Sequence, residues 1–150
     1  MKTNEIMVAQ LSALVDGVPH FIANLSNASA LVYDAMEDIN WAGFYLLEGG
    51  TLVLGPFQGK HACIEIPVGR GVCGTCVERG ETIIVPDVHE FPGHIACDSA
   101  SRSEIVLPIR RGGEVVAVLD IDSPLPGRFD GSDREILERF VKILEEKVFN

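Results

Sequence analysis

The fold is decided by the stretch IVLPIRRGGEVVAVLDID, which runs from Ile105 to Asp122. Two apolar, β-branched segments flank Arg111-Gly112-Gly113, and this arrangement predicts a hairpin with strands over 105–110 and 114–122. Side chains alternate between the two faces of a strand, so Asp120 and Asp122 share one face while the apolar residues beside them share the other. Core packing does not explain two carboxylates on one face at the end of a strand.

A loop that carries a cysteine leads into this hairpin. The segment FPGHIACDSASRSE, from Phe91 to Glu104, places Cys97 in a short polar run and Glu104 directly before the first strand. The thiolate is the nucleophilic form of cysteine, and loops on a rigid scaffold commonly carry such groups. A single cysteine is more often a small buried hydrophobe. The nearby carboxyl group nevertheless favours a thiol-based site here.

The remaining pattern predicts an α+β domain. Helical periodicity covers residues 4–15, 19–37 and 72–79, and a terminal helix follows Ser132, with Glu135 completing a capping box. The inner face of the second helix includes Phe21 and Ile22. Strand patterns cover 40–47, 51–54, 63–67 and 82–85, and 55–60 is interpreted as a loop. We therefore expect one domain over 1–150, with a central, mainly antiparallel sheet and the N- and C-terminal helices packed on one face.

Composition excludes several classes of function. The chain has 150 residues and a formal net charge of -10, which argues against binding to the nucleic-acid backbone. No apolar run approaches the roughly 20 residues that span a bilayer, and the first residues lack the pattern of a secretory signal. We therefore expect a cytoplasmic protein whose four cysteines are reduced at rest.

Several motifs resemble those of the free methionine-(R)-sulfoxide reductases, a family built on the GAF fold. The resemblance is carried by NWAGFYL (40–46), LVLGPFQGKHAC (52–63), GRGVCG (69–74), FPGHIACDSASRSEIVLPI (91–109) and LDIDSP (119–124). It implies a single GAF-like domain that reduces free L-methionine-(R)-sulfoxide to methionine without a cofactor or metal. It also implies a homodimer that thioredoxin recycles.

The resemblance assigns three cysteines to the redox cycle. It implies that Cys97 attacks the sulfoxide and becomes a sulfenic acid, which a nearby thiol condenses to a disulfide. Cys63 is the expected resolving residue, and Cys73 is the expected relay or second partner.

Five further residues are expected to bind the substrate. By the same resemblance, Glu104, Asp120 and Asp122 hydrogen-bond the sulfoxide oxygen and the ammonium group. A cluster of carboxyl groups raises the pKa of at least one member, which keeps a proton available near neutral pH. Trp41 and Tyr45 share one strand face and would contact the S-methyl group, although composition alone favours the core for Trp41.

Cys76 has no counterpart in the three-cysteine pattern and leaves the resolving step open. With Cys73 it forms a Cys-x-x-Cys motif, which suggests a redox dithiol. With Cys73 and His94-x-x-Cys97 it could form a zinc site. A core position one helical turn from Cys73 is the simpler interpretation. The alternative function is a sensor that binds a small molecule without converting it, since a fold alone does not decide function.

Overall fold

The computed structural model describes residues 3–93 and 100–150, which form one sheet covered by helices on both faces. The helices are α1 (Thr3–Val15), α2 (Phe21–Ala35), α3 (Gly71–Arg79) and α4 (Gly131–Lys147), and a short 3-10 helix spans Val88–Glu90. The strands are β1 (Trp41–Glu48), β2 (Thr51–Gly59), β3 (Glu65–Pro67), β4 (Ile83–Val85), β5 (Ser103–Arg111) and β6 (Glu114–Ser123). Their order across the sheet is β3-β2-β1-β6-β5-β4, and each neighbouring pair is antiparallel. This architecture confirms the expected α+β class.

The β5–β6 hairpin forms as the sequence predicts, although its turn is tighter. Arg111 pairs with Glu114, so the loop contains only Gly112 and Gly113. Both glycines have positive φ, 61° and 83°. A two-residue turn with positive φ at both positions matches the twist of the flanking strands, and glycine adopts it without strain.

The two faces of the sheet have different coverings. The terminal helices α1, α2 and α4 pack on one face, where Phe44, Ile105 and Leu119 are fully buried among them. The expectation that the N- and C-terminal helices lie on one face is therefore confirmed. On the opposite face, α3 contributes Cys73 and Cys76 to a second cluster. Among the helices of the described residues, none combines the length and apolarity required to cross a membrane.

Strand β2 is longer than the sequence predicts, because residues 55–59 continue it rather than forming a loop. Gly43 pairs with Phe57 whereas Tyr45 pairs with Leu54, so β2 carries one extra residue between these pairs. Such a bulge accommodates a proline, which cannot donate to the ladder. The bulge therefore lets a breaker-rich segment remain in the sheet.

The inner face of α2 is also corrected. Ile22 is 60% exposed, so its assignment to the inner face was wrong. Phe21 is 38% exposed, but its ring packs edge-to-face on the buried Phe149 ring with centroids 5.2 Å apart. Two polar residues are buried on α2 instead: Asn24 Nδ2 donates to Val18 O at 2.9 Å, and Ser29 Oγ donates to Leu25 O at 2.8 Å. Local hydrogen bonds of this kind let a polar side chain replace an apolar one in a core.

The N-cap of α4 lies two residues before the predicted one, Ser132. Asp130 is the N-cap, and its carboxylate accepts hydrogen bonds from the backbone N–H groups of Ser132 and Asp133. The Asp133 carboxylate accepts from Asp130 N at 3.0 Å, which completes the capping box. An aspartate at the third helical position thus performs the role that the sequence reading gave to Glu135.

Candidate active site

The centre of the candidate site is a group of carboxyl side chains on β5 and β6. In the register of this pair, Glu104 lies opposite Asp122 and Val106 lies opposite Asp120. Glu104 is 7% exposed and Asp120 is 5% exposed. The predicted alternation along β6 is correct, since Ile121 packs in the core on the helical face. The hairpin therefore presents its acidic residues to the α3 side of the sheet.

Burial and mutual repulsion keep a proton in this group. Burial, followed by the charges of Asp120 and Asp122, raises the pKa of Glu104 well above its ordinary range. Burial also raises the pKa of Asp120, although hydrogen bonds with Glu104 and Cys73 oppose that increase. Glu104 is accordingly the proton donor of the pair and Asp120 is the acceptor. The second oxygen of Asp120, Oδ1, is buried and accepts no hydrogen bond within the described structure.

Helix α3 places a thiol beside these carboxyl side chains. Carboxylate oxygens of Glu104 and Asp120 and the Cys73 Sγ all lie within 4.8 Å of one another. Gly74 makes this approach possible, because a Cβ there would lie 2.4 Å from Pro67 O on the adjoining strand. Burial, and then the charges of Asp120 and Glu104, raise the pKa of Cys73 well above its ordinary value. Cys73 is therefore a protonated thiol at neutral pH and a weak nucleophile in this state.

Cys76 stands apart from this group. It is fully buried, its Sγ lies 3.7 Å from Val106 O, and burial raises its pKa to about 12. Both Cys73 and Cys76 are free. Reactive Cys-x-x-Cys motifs lower a thiol pKa, so the raised values disfavour the dithiol interpretation. The zinc alternative is not supported at Cys76, because its S–H donates to Val106 O. The other two ligands of that site, His94 and Cys97, lie outside the described residues.

Aromatic side chains form a wall beside the carboxyl group. The Trp41 and Tyr45 rings stack with centroids 6.0 Å apart, and the Trp41 and Phe57 rings stack at 5.2 Å. Trp41 lies opposite Asp122 in the β1–β6 register. Burial raises the pKa of Tyr45 above its ordinary value, so its hydroxyl remains a hydrogen-bond donor.

The same aromatic residues hold the segment that carries Cys63. Trp41 Nε1 donates to Lys60 O at 3.0 Å, and Tyr45 Oη donates to Cys63 O at 2.9 Å. Cys63 is partly buried and disulfide-bonded, so the expectation that all four cysteines are reduced at rest does not hold in this structure. Two hydrogen bonds from β1 therefore fix this cysteine at the edge of the aromatic wall.

Two glycines seat the Trp41 indole. A Cβ on Gly43 would lie 2.3 Å from Phe57 Cβ and 2.9 Å from Trp41 Cη2. Gly59 has φ of 128°, and a Cβ there would lie 2.7 Å from Trp41 Cδ1. The indole thus lies across a surface from which side chains are missing. Glycines paired with aromatic residues on adjacent strands are the sequence signal for this seat, and the sequence reading did not use it.

We expect Gly43→Ala to destabilise the protein by roughly 2–3 kcal/mol and to weaken substrate binding, because the added methyl group overpacks the aromatic stack. Urea unfolding and the KM for substrate measure the two effects. Gly50→Ala is the matched control, since no atom lies within 4 Å of the Cβ that it adds. Equal stability of the two variants would contradict the proposed seat.

Comparison with known proteins identifies the family. The family model "GAF domain" matches residues 23–145. Free methionine-R-sulfoxide reductase of Escherichia coli is 58% identical over 90% of this chain and 82% of its own length. The structure of reduced fRMsr of Staphylococcus aureus superposes with a TM-score of 0.94 at 52% identity and covers 97% of this chain and 94% of its own. The chain belongs to the free methionine-(R)-sulfoxide reductase family of GAF-domain proteins.

A substrate complex from the same reductase family has a similar structure. The free methionine-R-sulfoxide reductase of Neisseria meningitidis, in complex with its substrate, superposes with a TM-score of 0.94 at 42% identity, covering 97% of this chain and 88% of its own. The resemblance inferred from the motifs of this chain is thereby confirmed, as is the GAF fold.

Most of the residues that the sequence nominates for a reductase site meet on one face of the sheet. Cys73, Glu104 and Asp120 form its buried centre, and Trp41 and Tyr45 stack beside it. Asp122 adjoins Glu104 through the β5–β6 register, and Cys63 is tethered by Tyr45. Cys97 lies outside the described residues. The sequence reading missed the direct contact of Cys73 with the carboxyl side chains of Glu104 and Asp120. It also missed the stacking of Phe57 in the aromatic wall.

Proposed function

We propose that this protein reduces free L-methionine-(R)-sulfoxide to methionine by thiol chemistry. The observation that carries the proposal is the buried group of Cys73, Glu104 and Asp120, whose sulfur and carboxylate oxygen atoms lie within 4.8 Å of one another and in which burial raises the pKa of Glu104 well above its ordinary value. A sulfoxide needs a proton donor at its oxygen and a thiol near its sulfur. Kinship with the named reductases supports the same reaction.

The site offers a complementary surface for each part of the substrate. Asp120 and Asp122 would accept hydrogen bonds from the ammonium group, and Asp120 Oδ1 is a buried acceptor that the described residues leave without a donor. Glu104 would donate its proton to the sulfoxide oxygen. The faces of Trp41 and Tyr45 would contact the S-methyl group, since aromatic faces favour polarised sulfur.

Cys97 is our choice for the attacking residue. Its thiolate would attack the sulfoxide sulfur while the oxygen takes the Glu104 proton; transfer of that oxygen releases methionine and leaves a sulfenic acid on Cys97. The Cys63 thiol would then displace water and form a disulfide, so the protein loses the two electrons that the substrate gains. The raised pKa of Cys73 supports this choice, because Cys73 is a poor nucleophile beside the carboxyl group.

We extend the proposal to the setting of the reaction. The chain would act as a single domain over 1–150, because α1 packs into the same core as α2 and α4 and the family model covers most of the rest. Family membership supports a cytoplasmic homodimer whose disulfide is reduced by thioredoxin. Cys73 would serve as a relay or second disulfide partner.

Turnover of the separate sulfoxide epimers tests the function. Protein, dithiothreitol and free L-methionine-R-sulfoxide are mixed, and methionine is measured by chromatography. We expect methionine from the R epimer, and none from the S epimer or from peptide-bound R-sulfoxide. Binding of the R epimer without methionine would overturn the reductase and leave the sensor function.

A further inference from the structure

The most exposed large apolar side chain of the described residues lies directly after Cys63. Ile64 is 69% exposed, although the protein has a nearby core that could bury it. Single exposed apolar side chains are common on protein surfaces, so exposure alone indicates little. Ile64, however, directly follows the disulfide-bonded Cys63 in the chain, so its exposed side chain lies next to the disulfide.

The exposure of Ile64 occurs in a firmly held segment. Tyr45 Oη binds Cys63 O at 2.9 Å, and Leu54 N binds Ile64 O at 2.9 Å. Ile66, two residues on, is buried and pairs with Leu52. The backbone is therefore bonded to the sheet on both sides of an apolar side chain that points to solvent.

The adjoining strand also offers an open edge. Strand β3 is the last strand of the sheet, and β2 is its sole neighbour in the described topology. The hydrogen bonds from Leu54 N to Ile64 O and from Val68 N to Gly50 O show that the backbone N–H and C=O groups of even-numbered residues in this segment point towards β2. Alternation in an antiparallel ladder then directs the N–H and C=O of exposed Glu65 outward.

We propose that Ile64 and the outer edge of Glu65 form the docking surface for the protein dithiol that reduces the Cys63 disulfide. This inference rests on the proposed function. A reductant sulfur must come within about 2 Å of the Cys63 sulfur to form a mixed disulfide, so its surface must cover the neighbouring residue. An exposed isoleucine and outward backbone groups fit a partner whose Cys-x-x-Cys motif is surrounded by an apolar rim and an accessible backbone.

The electron balance of the step is that of thiol–disulfide exchange. A thiolate of the partner attacks the Cys63 sulfur, the Cys63 disulfide breaks, and the departing thiolate takes a proton. The second thiol of the partner then attacks its own sulfur in the mixed disulfide and releases Cys63 as a thiol. The partner is oxidised to a disulfide, and this protein regains both thiols.

Steady-state kinetics with two reductants test the docking surface. We expect Ile64→Ser to raise the KM for thioredoxin about tenfold, the cost of losing one central apolar contact, while dithiothreitol-driven turnover stays unchanged. Ile22→Ser is the matched control, since Ile22 is 60% exposed on α2, outside the proposed surface, and this variant should leave both rates unchanged.

A trapped intermediate provides the second measurement. Thioredoxin with its second active-site cysteine replaced by serine should form a mixed disulfide that mass spectrometry maps to Cys63, and Ile64→Ser should lower its yield. An unchanged KM for thioredoxin in Ile64→Ser, an equal change in Ile22→Ser, or a mixed disulfide at another cysteine would overturn the docking surface alone. Absence of dithiothreitol-driven turnover in the unmodified protein would overturn the reductase function, and the docking proposal with it.

Discussion

Cys97→Ser should abolish methionine formation from free methionine-(R)-sulfoxide with either dithiothreitol or thioredoxin as reductant. A serine hydroxyl neither attacks a sulfoxide sulfur at neutral pH nor forms a sulfenic acid, so the first bond of the reaction is lost. Cys63→Ser should behave differently. It should release about one methionine per protein in a single turnover and then lose efficient recycling by thioredoxin. Rapid-quench measurement of methionine without added reductant separates the two variants.

The thiols of α3 provide the controls. Cys76→Ser should retain turnover, because Cys76 donates to Val106 O away from the carboxyl group and a hydroxyl can make the same bond. Cys73→Ser should retain the first release of methionine, since Cys73 is a protonated thiol beside Asp120. If Cys97→Ser gives this first release of methionine and Cys73→Ser does not, then Cys73 is the attacking residue and the roles of the two cysteines are reversed.

Local patterns predicted those parts of the fold that local physics controls. The β5–β6 hairpin follows from two β-branched segments around a glycine pair, and its alternation placed Asp120 on the side of the sheet opposite Ile121. The extent of β2 did not follow. Residues 55–59 contain a glycine and a proline, and a bulge in the pairing with β1 keeps them in the sheet. That bulge depends on a partner strand and leaves no local pattern.

The site residues could be nominated, but their arrangement could not be predicted. Motifs shared with a family pointed to Cys63, Tyr45 and Glu104 separately. The bond from Tyr45 Oη to Cys63 O joins residues 18 apart in sequence, and it forms because the segment after β2 folds back across the sheet. Cys73 reaches the carboxyl group only because α3 packs closely on β3 at Gly74. Each of these contacts is a consequence of packing between elements, which periodicity does not encode.

Glu104→Gln should have opposite effects on catalysis and on stability. The amide can donate a hydrogen bond to the sulfoxide oxygen but cannot transfer a proton to it, so kcat should fall by about 10²- to 10⁴-fold while the KM changes little. Activity of the unmodified protein should decline as pH rises through the raised pKa of Glu104, because the acid is then ionised. The variant should lack this decline in its residual activity.

The stability effect follows from the direction of the same pKa shift. Because burial raises the pKa of Glu104 in the folded state, the native protein binds more protons than the unfolded chain at pH values between the ordinary pKa of glutamate, about 4.3, and the raised one. The stabilisation that this shift contributes is fully present below the ordinary pKa, and it is lost as pH rises through this window. The amide has no proton to lose, so Glu104→Gln should be more stable than the unmodified protein at pH 8, by at least about 3 °C in Tm, and should lose that advantage at pH 4.

Thermal unfolding from pH 4 to pH 8 measures this crossover, and Glu114→Gln is the control. Glu114 is an exposed glutamate at the far end of β6, so its amide variant should change neither kcat nor the pH dependence of Tm. A lower Tm for Glu104→Gln at pH 8 would mean that partners in the site hold Glu104 ionised. In that case Glu104 could not supply the proton, and the protonated thiol of Cys73, in the same group, would be a donor in its place.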